Sequence, residues 1–452
     1  IGSKPDIIHC HDWQTGLIPV YLHDSFQSDP FFWGIKTIFT IHNLKFQGTW
    51  SVDTIKGFSG LSDYYFTSDK LEAYGNGNML KGGLVYADRI TTVSRSYASE
   101  IRMPFYGEGL DGLLRARSKQ LSGIVNGIDY NVYNPKTDKN IAVNYSVEDV
   151  IKAKAANKTA LQKELGLEEN PDAFMLGIVS RLTDQKGLDL VECVLDQICA
   201  EDVQLVVLGT GEGKYQDMFT YYSRKYPERV SANIFYSEAL SHRIYASCDA
   251  FLMPSLFEPC GLSQLMSLRY GTLPIVRETG GLRDTVTPYN EVDGTGTGFS
   301  FTNYNAHEML AIIRYAKKTY FNDRKAWNEM VLRAMKQDFS WDASAREYEK
   351  LYDGLIEEEA RRKEAIRLQQ AREAAEAALK EAEKALELAK RAEEKAIRKF
   401  NGIEDEQEDE KIKTAEAPEE DLEAEGSEPE EVSETPEAAP EPDEALEVSE
   451  TS

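Results

Sequence analysis

Glu258 stands in FEPCGLSQ, between the apolar run AFLMPSLF and a turn made of Pro259, Cys260 and Gly261. A carboxylate there either favours the N-terminus of a following helix or is aimed at something bound. Arg181 and Lys186 lie in SRLTDQKG, after the apolar stretch FMLGIV and before a helix expected near Gly187. Two cations on one loop beside a helix start suit a diphosphate; a solvated basic loop is the alternative. Gly209 and Gly211, in LGTGEG, allow close backbone approach to a phosphate or base, or simply make a tight turn. Thr279, Gly280 and Gly281, in ETGGLRDTV, offer N–H groups at a helix start or form a capping turn. His42 and Asn43 follow KTIFTI. A histidine there can donate to a sugar hydroxyl or to developing charge, or can be structural. Asp12, in HCHDWQTG, reads as a helix cap or as an acceptor for a sugar hydroxyl. Asn126, in NGID, reads first as a turn residue.

These residues share a place in the pattern: each follows a short apolar run. Residues 6–10, 36–41, 87–93 and 121–125 are such runs, alternating with helical stretches, and predict a parallel sheet covered by helices. The pattern restarts after residue 172, with runs at 174–179, 204–208, 232–236, 250–253 and 273–276. Strand ends of open α/β sheets are where ligands bind. Two doubly wound domains therefore predict one cleft. The expected division is 1–135, a first such domain that the chain enters partway; 136–172, a linker with a helix over 146–165; 173–335, a second such domain; and 336–356, closing helices. Residues 357–400 predict a charged single helix with recurring Glu-to-basic pairs four apart, such as Glu357/Arg361, Glu358/Arg362 and Glu387/Arg391. Pairing of that helix with another helix is the alternative. Residues 401–452, rich in Glu and Pro, predict a disordered acidic tail.

Composition narrows the class. The chain has 452 residues and is 41% hydrophobic, room for about two or three soluble domains. No apolar run is long enough to span a bilayer. The net charge is −26, but 22 acidic and 2 basic side chains fall in residues 401–452, so 20 of those negative charges belong to the tail. Without a clustered basic stripe, nucleic acid is not an expected partner. The five cysteines form no C-x-x-C pair, which fits a reducing, cytoplasmic setting. His9 and His11 alternate without a third ligand nearby, so no metal is expected. The chain opens on IGSKPDIIHC, almost directly in a strand, which predicts a start inside a domain and weak or absent activity for the chain alone.

HDWQTGL, HNLKFQG, VNGIDYNVYNP, SRLTDQKGLDLV and FLMPSLFEPCGLSQLMSLRYGTLPIVRETGGLRDTV, in that order from about Asp6 to Tyr352, resemble the bacterial glycogen synthases and plant starch synthases. The resemblance implies a GT-B fold, two Rossmann-like domains with the active site between them. It implies retaining transfer of glucose from ADP-glucose to the non-reducing end of an α-1,4-glucan such as glycogen, without a metal or other cofactor. On matching positions, Glu258 contacts the donor sugar, Arg181 and Lys186 hold the diphosphate, and His42 contacts the transferred glucose. Asp12 and Asn43 lie on the acceptor side, Asn126 lines the cleft and Tyr236 lies by the nucleotide. Gly261, Leu262 and Ser263 open a helix facing phosphate or sugar, with Gly209, Gly211, Thr279 and Gly280 also on the donor side. The family's opening Lys-x-Gly-Gly-Leu loop, whose Lys binds the donor, is not in this sequence, Leu256 stands where an Arg is frequent and Phe235 in place of Gly, and Met266 stands where many related retaining transferases have a second Glu. Met266 favours a same-face reaction over a covalent glycosyl intermediate. The rivals are another donor, such as UDP-glucose, and a catalytically dead glucan-binding scaffold.

Overall fold

The computed structural model describes residues 3–402. The first lobe carries strands β1 (Ile7–His11), β2 (Lys36–Ile41), β3 (Thr49–Trp50), β4 (Glu72–Ala73), β5 (Asn76–Asn78), β6 (Arg89–Thr92) and β7 (Leu121–Gly123). Its helices are α1 (Leu17–His23), α2 (Val52–Ser59), α3 (Met79–Tyr86), α4 (Arg95–Glu100) and α5 (Asp111–Ala116). The main sheet has the order β1-β2-β6-β7 and every pairing is parallel. β2 is buried on both faces between helices, which is why KTIFTI is apolar nearly throughout rather than alternating.

The second lobe carries α6 (Val150–Leu165), β8 (Phe174–Val179), α7 (Leu188–Ala200), β9 (Val203–Leu208), α8 (Gly213–Lys225), β10 (Val230–Asn233), α9 (Glu238–Ser247), β11 (Ala250–Met253), α10 (Ser263–Arg269), β12 (Leu273–Arg277), α11 (Gly280–Thr285), β13 (Phe299–Phe301), α12 (Ala306–Asn322) and α13 (Arg324–Lys336). Its parallel sheet runs β10-β9-β8-β11-β12-β13. That is the Rossmann order, with the crossover between β8 and β11 marking the switch point where ligands bind. Strand β10 ends at Asn233, three residues earlier than the alternation suggests, and this releases Phe235 and Tyr236 into a loop.

The linker helix α6 is fastened by two lysines one turn apart. Lys158 pairs with Asp249 at 2.6 Å, and Lys154 donates to Thr272 and to the carbonyls of Tyr245, Ala246 and Tyr270. Burial pulls the Lys154 ammonium down to about 7; the four oxygens around it are what offsets that cost.

The last helix, α14, spans Trp341–Phe400. Its first part returns to the first lobe. Ser344 donates to the carbonyl of Val125, Glu359 pairs with Lys36 at 3.1 Å, and Glu358 pairs with Arg89. Glu358 thus serves the sheet rather than Arg362, its expected partner, which pairs with Glu359 instead. The Glu357/Arg361 and Glu387/Arg391 pairs form as expected. Residues from 366 onward form a second body, in which every described residue is exposed. The disorder expected of the acidic tail concerns residues outside the described ones. No helix among the described residues is long and apolar enough to cross a membrane.

Candidate active site

The sequence places Glu258 five residues beyond β11, and the fold turns it inward, leaving it 6% exposed. Its Oε2 meets the Lys186 ammonium at 2.6 Å and accepts from the Ser255 hydroxyl at 3.0 Å. Two loops are joined to make this pair. Leu256 N–H donates to the Gln185 carbonyl at 2.9 Å, and the Gln185 amide donates to the Phe257 carbonyl at 3.3 Å. The junction requires Gly187, whose φ is +69° and whose missing Cβ would lie 2.1 Å from the Pro254 carbonyl oxygen. Only glycine meets both conditions without strain. The carboxylate is therefore no helix-start charge: α10 begins at Ser263, and its cap residue, Leu262, makes no side-chain cap.

Arg181 lies on the same loop as Lys186 but is exposed, and its guanidinium makes no hydrogen bond or ion pair among the described residues. One cation is thus already bound to a carboxylate and a second is free. Tyr236 is 86% exposed in the loop after β10. Ser263 donates to the Val179 carbonyl at 3.3 Å, tying the start of α10 to the end of β8. Gly261 has φ +71° and Leu262 is 42% exposed beside it.

On the first lobe, Asp12 and His42 meet at adjacent strand ends. Asp12 follows β1 in the cap position of a short 3-10 turn, yet its side chain caps nothing. Its Oδ1 accepts instead from His42 N–H at 2.7 Å. Asp12 holds φ +55° with ψ −178°, a region costing a non-glycine residue about 1–3 kcal/mol and concentrated at functional sites. His42 Nε2 lies 3.0 Å from His11 Nδ1, and His11 stacks on His9 at 4.3 Å between ring centroids. His9 is held between Tyr352 at 2.8 Å and Thr40 at 2.6 Å. Burial, then the neighbouring His11 and His42, lowers His9 to about 4; burial and His42 also lower His11. His42 Nδ1 makes no hydrogen bond among the described residues. Asn43 Oδ1 accepts from Lys45 N–H, closing the turn after β2.

Packing sets what surrounds three of the expected donor-side groups. Gly209 and Gly211 face backbone, not open space: a Cβ would lie 1.9 Å from the Ser180 carbonyl oxygen and 2.2 Å from that of Leu182. They let β9 run against the Arg181 loop. Thr279 is fully buried, and its hydroxyl and the Gly280 N–H both donate to Glu100 of the first lobe, at 3.1 and 2.9 Å. That helix start is filled by a protein carboxylate, and Gly280 is needed because a Cβ there would meet the Glu258 carbonyl oxygen at 1.9 Å. Asn126 sits by Phe339 and Ser344 in a hollow of about 190 Å³, where α14 crosses back.

Contacts between the lobes continue along this line. Ser96 donates through its N–H and hydroxyl to Asp284 at 2.9 and 2.6 Å, and Ser94 donates to the Pro259 carbonyl at 2.5 Å. Sequence reasoning missed Ser255, Arg277 and Glu100, and weighed His11 only as a metal ligand. Arg277 had a visible signal, a cation closing the apolar strand LPIVR; Ser255 and Glu100 had none.

Residues 1–116 match the family model for the starch synthase catalytic domain, and 159–331 that for glycosyl transferases group 1. The glycogen synthase of Lachnospira eligens is 68% identical over 355 residues, covering 78% of this chain and 74% of that protein. The glycogen synthase of Lachnoclostridium phytofermentans is 65% identical over the same shares. Among solved structures, the catalytic domain of Starch Synthase IV from Arabidopsis thaliana bound to ADP and acarbose superposes with a TM-score of 0.73 at 35% identity, covering 79% of this chain and 74% of that one. Sucrose-phosphate synthase from Thermosynechococcus elongatus, at 18% identity and a TM-score of 0.50 over 78% of this chain and 74% of that one, shares the fold.

Proposed function

The chain belongs to the glycogen synthase family, and from that premise we propose that it transfers glucose from ADP-glucose to the non-reducing end of an α-1,4-glucan, glycogen, with retention of configuration. The observation that carries this reading is the buried Glu258–Lys186 pair at 2.6 Å, on whose loop the Arg181 guanidinium is unpaired among the described residues. A sugar diphosphate brings the negative charge that Arg181 lacks and that Lys186 can share. The GT-B fold agrees, since both groups lie on the loop after β8, at the carboxyl end of a parallel sheet, where ligands bind.

In the step itself the bond between glucose C1 and the diphosphate oxygen breaks, and its electron pair leaves with ADP. The acceptor hydroxyl at C4 of the glucan's last glucose bonds to C1 on the face ADP vacates, and its proton passes to the departing phosphate oxygen. Arg181 and Lys186 stabilise the charge gained by ADP, a fixed electrostatic contribution that lowers the barrier, and they leave the reading no need of a divalent metal. Glu258 orients the transferred glucose through its hydroxyls. Met266 offers no second carboxylate at that position, which favours this same-face route. His42 Nδ1 faces the transferred glucose from the first lobe, with Asp12 and Asn43 toward the acceptor. Tyr236 takes the base on its exposed ring, Gly261, Leu262 and Ser263 border the donor, and Asn126 supports the cleft wall. A cytoplasmic setting, where five thiols stay reduced, completes the reading.

Incubating the protein with glycogen and radiolabelled ADP-glucose or UDP-glucose tests it. Label entering glycogen from ADP-glucose even at a low rate, inhibited by ADP more than by UDP and lost in Glu258→Gln, is the expected result. Transfer that ignores Glu258, or a preference for UDP-glucose, overturns it.

A further inference from the structure

Arg277 closes β12 with 7% exposure and forms no ion pair among the described residues. An arginine keeps its charge in proteins, so a buried one without a carboxylate must be satisfied by its hydrogen bonds. Those bonds go to one place. Nε donates to the Ser255 carbonyl at 2.8 Å and Nη2 to the Leu256 carbonyl, while Nη1 reaches the Thr302 carbonyl at 3.5 Å. Ser255 is 1% exposed, and its hydroxyl holds Glu258 Oε2. The guanidinium therefore grips the backbone of the residue that orients the site's carboxylate. The guanidinium also lies 5.7 Å from the centre of the Tyr304 ring, and one further bond leaves the lobe: Nη2 donates to the hydroxyl of Tyr106, on the first lobe, at 3.2 Å. Tyr106 follows α4, whose Ser96 and Glu100 rest on α11 of the second lobe. The place of Tyr106 thus depends on how the lobes are docked.

We propose that Arg277 is a positioning residue that makes the setting of Glu258 depend on closure of the cleft, with Tyr106 as the first-lobe contact that reports closure to it. This rests on the glucosyltransferase reading given above. When the lobes meet, Tyr106 orients the guanidinium, and the guanidinium fixes Ser255–Leu256. The Ser255 hydroxyl then holds the carboxylate where it meets the donor sugar. When the lobes part, the guanidinium loses one partner and the loop loses its brace. The planar fork of arginine reaches Ser255, Leu256 and Tyr106 at once; a lysine ammonium on a longer, flexible stem does not reproduce that geometry.

The test compares Tyr106→Phe, Arg277→Lys and the double variant, reading steady-state transfer from ADP-glucose to glycogen and amide hydrogen exchange of residues 254–262. Each single variant is expected to lower kcat by about tenfold, the scale of one hydrogen bond to a charged group. KM for ADP-glucose should stay within about twofold of its original value, and exchange in 254–262 should rise by about tenfold on the same scale. The double variant should be no worse than Arg277→Lys alone, because the two residues act in series. Tyr106→Phe is part-exposed and keeps its ring, so it decides the matter if Arg277→Lys folds poorly. Unchanged kcat and unchanged exchange in Tyr106→Phe, or a loss confined to KM, overturns the proposal. If the unaltered protein neither transfers glucose nor binds ADP, the functional reading fails, and the exchange measurement alone judges whether Tyr106 and Arg277 brace the loop.

Discussion

At the residue scale, Arg181 and Lys186 look equivalent in sequence and differ in structure. Arg181 is exposed and unpaired among the described residues, so Arg181→Ala should leave the melting temperature unchanged while weakening ADP binding about tenfold, the scale of a lost charge-assisted contact. Lys186→Ala removes the partner of a buried carboxylate and should cost roughly 3 kcal/mol of stability as well as ADP affinity. Parallel titration with ADP and chemical denaturation separate the two; equal stability losses would contradict the assignment. The histidine stack gives a second prediction at this scale. His9 is lowered to about 4 in the folded protein from an ordinary 6.5. Below pH 6.5 the unfolded chain takes up a proton that folded His9 refuses until about pH 4. Stability should be complete above pH 6.5, fall as pH drops toward 4, and lose nothing more from this group below that. The groups facing His9 are His11, His42, Tyr348, Tyr352 and Thr40. A His9→Gln variant should flatten the melting temperature across this window.

At the element scale, the attachment of α14 to the first-lobe sheet rests on Lys36 at the start of β2. Lys36 sits between Asp88 at 3.2 Å and Glu359 at 3.1 Å, and Glu359 also holds Arg362 at 2.8 Å. These partners, Arg362 foremost, lower the Glu359 carboxyl to about 2. Its contribution is therefore present above its ordinary value of 4.5 and lost as pH falls from there toward 2. Glu359→Gln should cost about 1–3 kcal/mol at neutral pH by urea denaturation, with the difference from the original protein vanishing in acid. Little of this was legible beforehand. The run EEEARRK reads as a solvated face with i,i+4 pairs, because the acid that matters answers to Lys36, more than three hundred positions away. Likewise α6 was legible as a helix, but nothing in VIKAKAANKTALQKEL says that Lys154 and Lys158 point inward. Burial of those ammonium groups is decided by the carbonyls, hydroxyls and carboxylate that α9, α10 and the start of β11 bring to them.

At the scale of the whole molecule, the contacts between lobes are polar, and one of them fills a helix start. Glu100 is raised above the usual carboxylate range by burial, against the opposing pull of Gly280 N–H and the Thr279 hydroxyl. Replacing it by alanine leaves that N–H and hydroxyl without a partner, which should cost about 1–3 kcal/mol of docking between the lobes. Small-angle scattering of Glu100→Ala should show a larger radius of gyration and a broader distance distribution. Unchanged scattering would mean that other contacts, among them Ser96–Asp284, Ser94–Pro259 and Arg277–Tyr106, hold the lobes by themselves.

The sequence by itself determined the alternation of apolar runs and helices, hence two parallel sheets, and it marked the strand ends on which Glu258, Arg181, Lys186, His42 and Asp12 stand. Those are local properties: periodicity, turn chemistry and the position of charge relative to an apolar run. Only the tertiary structure decided which of these groups meet. It set Glu258 on Lys186 across two loops, turned Asp12 from a cap into the anchor of His42, closed Gly209, Gly211 and Gly280 against backbone, and put Glu100 where an anion was expected. The physical reason is that each pairing joins residues from different strands or different lobes, and a pairing distance depends on sheet order and lobe docking, which no stretch of sequence carries alone.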